Sequence, residues 1–94
     1  MPSQTAKPGN IVEVNYTGRF QNGQVFDTSV GRAPLKFTVG GGQLIQGFDE
    51  AVIGMRIGDR KVVTIPPEKA YGKSGGHPLA GKTLVFEISV VSIK

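Results

Sequence analysis

The side chains able to do covalent chemistry are few and poorly grouped. The chain has no cysteine, and His77 is its only histidine. Thiolate chemistry is therefore out of reach. Zinc sites usually draw on several His or Cys ligands, so no metal centre is expected. Asp49 and Glu50 are adjacent carboxylates, but neighbours on a helix do not face one another. They fit the start of a helix, where negative charge is favourable. No serine lies in a nucleophile-elbow pattern, and a hydrolytic triad would rest on His77 alone, so a base-activated nucleophile lacks its partners. Gly76-His77-Pro78-Leu79-Ala80-Gly81-Lys82-Thr83 satisfies the spacing of a P-loop. A working P-loop follows a buried strand and opens a helix whose N-terminus faces phosphate. Here a polar, glycine-rich stretch precedes the motif and a β pattern follows it. Gly40-Gly41-Gly42 fails the dinucleotide pattern because Ile45 occupies its third glycine position. No cofactor is expected.

What remains is aromatic. Tyr16, Phe26, Phe37, Phe48, Tyr71 and Phe86 are spread along the chain, and core filling is the simplest use for them. Tyr16 and Tyr71 point beyond it, because a buried phenol needs a hydrogen-bond partner. Tyr71 also lies in a Gly/Pro-rich loop, where a purely structural ring is less expected. Asp27 directly follows Phe26, with Arg32 within reach across a turn. Rings beside turns, without nucleophile or metal ligand, fit a pocket that works by shape and low polarity.

The elements that must hold these rings are short. Fourteen glycines and six prolines punctuate the chain, the mark of a β-rich domain with many turns. A half-buried strand is predicted over 10–17, with Val12, Val14 and Tyr16 alternating against Glu13 and Asn15. Asn22-Gly23 predicts a tight turn, because both residues tolerate positive φ, returning the chain through 24–27. A looser excursion over 28–34 leads to a strand at 35–39. Phe48, Ala51, Val52 and Met55 recur at helical spacing, in a short helix weakened at Gly47 and ended by Gly54. Strands follow at 60–65 and 83–93, separated by a long loop. The predicted fold is α+β: a curved antiparallel sheet, or half-barrel, wrapped around one short helix.

Ninety-four residues make one domain, expected over 9–94 behind a flexible leader at 1–8. One modest core is feasible at this size, so a binding site must share its walls with the core. No apolar run approaches the roughly 18 residues of a membrane span, and the start of the chain has no apolar signal-like region. The net charge is +4, with basic residues scattered from Lys7 to Lys94. Nucleic-acid binders carry clustered bases, so neither nucleic acid nor membrane is an expected partner.

Five collinear segments resemble the FKBP-type peptidyl-prolyl isomerases. Val14-Asn15-Tyr16-Thr17-Gly18 with Asn22-Gly23-Gln24-Val25-Phe26-Asp27-Thr28-Ser29 is similar to the first signature of that family. Leu44-Ile45-Gln46-Gly47-Phe48-Asp49-Glu50-Ala51 resembles its Val-Ile-x-Gly-Trp-Glu segment. Gly54-Met55 with Gly58, then Ile65-Pro66-Pro67 with Ala70-Tyr71-Gly72, and Thr83-Leu84-Val85-Phe86-Glu87 complete the order. The resemblance implies a shallow apolar pocket between sheet and helix. Phe48 would floor it and Tyr16, Phe26, Phe37 and Phe86 would wall it. Leu44 and Ile45 would line the mouth, the Ile45 N–H and the Tyr71 hydroxyl would donate to substrate carbonyls, and Asp27, braced by Arg32, would sit beside the bound carbonyl. Leu79 or Pro78 would take the apolar tip of the loop after Tyr71, with Leu79 the candidate binding residue.

The resemblance further implies a cytoplasmic, monomeric rotamase and folding chaperone acting on proline-containing peptides or unfolded proteins. Its alternative is a non-catalytic module of the same fold that binds peptides or macrolides. Phe48 stands where the best-known members have tryptophan, and Leu35 where they often have phenylalanine; both changes bear on macrolide binding more than on catalysis. An N-terminal strand found in many members is expected to be absent.

Overall fold

The structure is a computed structural model that describes residues 4–94. Five strands form one antiparallel sheet: β1 (Ile11–Phe20), β2 (Val25–Thr28), β3 (Leu35–Thr38), β4 (Arg60–Ile65) and β5 (Leu84–Ile93). The order is β2-β1-β5-β4, and β3 also pairs with β1. One helix, α1 (Gln46–Val52), and a single 3-10 turn at Pro67–Lys69 complete the elements. The predicted α+β class and every predicted element are present, with ends shifted by a few residues.

Both β2 and β3 use the same edge of β1. β3 pairs with its first half, from Ile11 to Val14, and β2 with its second half, from Thr17 to Arg19. Asn15 and Tyr16 fall in the gap between them. Ser29 fills that gap: its N–H donates to the Tyr16 carbonyl at 2.9 Å, and its Oγ accepts the Tyr16 N–H at 2.8 Å. It is the one buried polar residue among those described, at 4% exposure, as a backbone-satisfying hydroxyl must be.

Two irregularities set which side chains face inward. Opposite Glu13 and Val14 the β5 register slips by one, from Ser92 to Val90. The slip leaves Val91 exposed and returns Ile93 to the core after Leu84, Phe86, Ile88 and Val90. The second slip, between Gly18 and Arg19, makes Phe26 an extra residue of β2. A bulge of this kind re-aims a side chain, and here it lets the consecutive Phe26 and Asp27 both serve the inner face.

The helix covers that face by packing on β4 and β5, burying Gly47, Phe48, Ala51 and Val52. Gly47 costs helix propensity but is required by space: a Cβ there would collide with the Ile65 side chain of β4. The helix ends at Gly54, whose φ of +88° suits glycine. Met55 lies beyond the helix, yet it is buried by the turn that follows.

The tight turn predicted at Asn22-Gly23 forms: Gly23 takes positive φ, and the Asn22 Oδ1 accepts the Gln24 N–H at 2.9 Å. One expectation is corrected. The expected free leader is docked in its second half. The Ala6 N–H donates to the Met55 carbonyl and the Gly54 N–H to the Ala6 carbonyl, both at 2.8 Å, and Thr5 forms an isolated antiparallel bridge with Arg56. Ala6 is fully buried, because its methyl group completes the core beside the end of α1. Residues 1–3 of that leader lie outside the described residues.

Ser29→Ala leaves the half-buried Tyr16 N–H without its acceptor. We expect a loss of about 1–3 kcal/mol in urea unfolding, against a change within about 0.5 kcal/mol for a solvent-facing control such as Ser74→Ala.

Candidate active site

A cleft of about 340 Å³ opens between the inner face of the sheet and the N-terminal end of α1, lined by Tyr16, Asp27, Leu35, Gln43, Leu44, Ile45, Phe48, Tyr71 and Phe86. Its floor is Phe48, which is 3% exposed. Three rings meet Phe48 edge to face: Phe86 at a centroid distance of 5.2 Å, and Tyr16 and Phe37 each at 5.9 Å. Ring edges are electropositive and faces electronegative, so T-shaped contacts hold such a cluster in one arrangement.

Phe26 and Phe37 stand behind this lining rather than in it. Phe37 supports Phe48. Phe26 packs edge to face on Phe86 at 5.6 Å and stacks on Phe20 at 4.9 Å. Gly18 makes room for both rings, since a Cβ there would approach Phe26 Cζ to 2.7 Å and Phe86 Cε1 to 2.8 Å. Leu79 is not among the cleft residues; it lies half-buried in the loop after Tyr71. Leu35, which sequence reasoning singled out for its bearing on macrolide binding, lines the cleft; Gln43 is a lining residue that it did not assign. Leu35 pairs with Val14 in the sheet register. Gln43 had no signal; a local loop contact holds it, its Oε1 accepting the Thr38 N–H at 2.9 Å.

The polar groups sit on one rim. The Tyr16 hydroxyl donates to Asp27 Oδ2 at 2.9 Å. Asp27 Oδ1 accepts from Arg32 Nη2 at 3.1 Å, and the same nitrogen donates to the Thr28 carbonyl at 2.7 Å. Burial, and then the hydrogen bond to Asp27 and its charge, push the Tyr16 phenol above its ordinary value of 10.0. Tyr16 therefore stays protonated and occupies one carboxylate oxygen of Asp27 as a donor.

Ile45 caps α1 through its carbonyl, which accepts the Phe48 and Asp49 N–H groups at 3.1 and 3.2 Å. Its own N–H has no acceptor among the described residues, nor does the Tyr71 hydroxyl have a protein partner there. The cleft thus pairs an apolar aromatic floor with two lining residues, Ile45 and Tyr71, whose N–H and hydroxyl no described protein group engages. Asp49 and Glu50 diverge, as helix neighbours must. Asp49 accepts the Gly40 N–H at 2.8 Å, and Glu50 accepts from Gln46 and pairs with Lys69. The P-loop-like segment leads from turns into β5. No group of three or more His, Asp or Glu among the described residues could hold a metal ion.

A phenolate titration followed by ultraviolet absorbance in the Tyr71→Phe background should place Tyr16 above 10.0. Asp27→Asn should move that midpoint down without bringing it to the free value, since burial is the larger cause. The native state holds this proton more tightly than the unfolded chain. Its contribution to stability is therefore complete below the unfolded value and is lost as pH rises through the folded one.

Comparison with known proteins agrees with this geometry. The profile of the FKBP-type peptidyl-prolyl cis-trans isomerase family matches residues 2–91. "FK506-binding protein 2" of Yarrowia lipolytica is 43% identical over 94 residues, covering 97% of this chain and 65% of the relative. "Peptidyl-prolyl cis-trans isomerase FKBP53" of Arabidopsis thaliana is 40% identical over 92 residues, 95% of this chain but 19% of the relative. "Probable FK506-binding protein" of Corynebacterium glutamicum is 49% identical over 90 residues, 93% of this chain and 75% of the relative. The chain thus spans between a fifth and three quarters of the length of these relatives. With the profile matching nearly its whole length and the aromatic cleft in place, the chain belongs to the FKBP-type peptidyl-prolyl cis-trans isomerase family.

Proposed function

We propose that this chain accelerates rotation about X–Pro peptide bonds in the Phe48-floored cleft and so assists the folding of proline-containing chains. The observation that carries this reading is an apolar aromatic floor together with two unengaged donors on lining residues, the Ile45 N–H and the Tyr71 hydroxyl. Amide resonance sets a rotational barrier of about 18–20 kcal/mol, and uncatalysed X–Pro exchange takes tens to hundreds of seconds. A turnover of about 10³ s⁻¹ calls for five decades, or roughly 7 kcal/mol. No bond is made or broken in the reaction, so the scarcity of nucleophiles is no obstacle.

The planar amide is more polar than the twisted transition state, where resonance is lost. Rings of Phe48, Phe86 and Tyr16 around the prolyl group therefore penalise the planar form relative to the twisted one. The Ile45 N–H and the Tyr71 hydroxyl hold flanking carbonyls while the bond turns. Asp27, kept in place by Tyr16 and Arg32, lies beside the rotating carbonyl. Tighter binding of the twisted form than of either planar isomer is what lowers the barrier.

Phe48 and Leu35 leave a smaller aromatic surface than tryptophan and phenylalanine would, which favours peptide turnover over tight macrolide binding. The reading further proposes a monomer at work in the cytoplasm on unfolded proteins, with no nucleic-acid or membrane partner. Among the described residues no helix is long and apolar enough to cross a membrane.

Exchange NMR on an X–Pro peptide should show acceleration over buffer, and a rate equal to buffer would exclude the activity. Peptide binding without acceleration would select the binding-module alternative. Tyr71→Phe should lower kcat/KM by about three- to tenfold, one hydrogen bond's worth. Asp27→Ala should lower it further, because it releases Tyr16 and Arg32 together; the reverse order would contradict the role given to Asp27.

A further inference from the structure

The only histidine of the chain lies outside the cleft, yet it lies flat against a cleft residue. The His77 imidazole stacks on the Tyr71 ring with centroids 4.0 Å apart and planes 8° from parallel. Its Nδ1 accepts the Leu79 N–H at 3.0 Å, which puts the proton of the neutral ring on Nε2. The stack is thus held from behind by the loop itself. The Gly81 N–H closes the loop on the Gly72 carbonyl, and the Ala80 N–H donates to the His77 carbonyl at 3.0 Å. Tyr71 is one residue before that closure, and His77 folds back over it from the far side of the loop.

We infer that His77 is a positioning residue for Tyr71, fixing the direction in which the Tyr71 hydroxyl donates into the cleft. This rests on the reading of Tyr71 as a substrate donor. The physical reason lies in the phenol. Its oxygen lies on the ring axis, so only a sideways swing of the ring moves it, and an imidazole flat against one face blocks the swing to that side. The phenolic proton prefers the plane of the ring, so the plane that His77 imposes also selects the directions open to the O–H. Exposure makes this brace necessary: Tyr71 is half-buried in a loop and no hydrogen bond among the described residues holds its hydroxyl. Two contacts, one to the face of the ring and one to the backbone of Leu79, turn an exposed loop histidine into a fixed backstop.

Three variants separate the parts. His77→Phe keeps a stacking ring and loses the acceptor. His77→Asn keeps an acceptor for the Leu79 N–H and loses the ring, and His77→Ala loses both. His77→Ala should lower kcat/KM by about two- to fivefold, the scale of one aromatic pair, with the other two in between. In the Tyr71→Phe background, where there is no hydroxyl to aim, the His77→Ala effect should fall to within experimental error of one. An undiminished effect in that background, or none in the wild-type one, overturns the inference. The same cycle run on peptide Kd by NMR titration tests it without turnover. A wild-type chain that does not accelerate exchange sinks the proposed function alone, whereas an active wild type with an additive cycle sinks only the role of His77. The ring-current shift of the Tyr71 protons, lost in His77→Ala and kept in His77→Phe, reports the stack directly; its absence in the wild type counts against the inference.

Discussion

The geometry of the cleft depends on how one strand edge is completed at Tyr16. β1 is longer than either neighbour on that edge, and the two neighbours leave Asn15 and Tyr16 uncovered. Buried backbone groups must find partners. Ser29 supplies both, one from its side chain and one from its own N–H. Because Ser29 is two residues beyond Asp27, the same closure that satisfies Tyr16 brings Asp27 within hydrogen-bond reach of the Tyr16 hydroxyl. The polar rim of the site is thus a by-product of finishing the sheet.

The apolar part of the site follows from a shortage of core. So small a chain has no separate set of residues for a cavity, and Phe48 is both the helix's main anchor and the cleft floor. Its three edge-to-face partners belong to β1, β3 and β5, so the floor is held from three strands. Helix and sheet can approach this closely because position 47 has no side chain to meet Ile65. Packing rigidity and low polarity, the two properties a rotating amide would need, therefore come from the same rings.

Much of this was legible beforehand. The β-branched alternation of 11–14 and 84–90, the helical spacing of Phe48, Ala51 and Val52, and the glycine stops all act within a few residues, and sequence patterns report local preferences well. Reading failed where a distant partner decided. Ala6 looked like part of a free leader because nothing near it is apolar; its anchor is the Gly54–Met55 backbone. Leu79 or Pro78 was expected at the loop tip from the family resemblance, and in the folded loop it is His77 that stacks on Tyr71. Gln43 carried no local mark at all.

The amino-acid sequence by itself determined the class of the fold and the family. Those follow from composition, from periodicity, and from ordered motifs that survive without coordinates. Only the tertiary structure decided which rings face the cleft and which stand behind them. The reason is the strand period of two: one extra residue in β2 reverses the facing of everything beyond it. That single slip puts the consecutive Phe26 and Asp27 on one face, the ring against Phe86 and the carboxylate on Tyr16. No count along the sequence shows where such a slip will fall, because it is settled by pairing with a neighbouring strand.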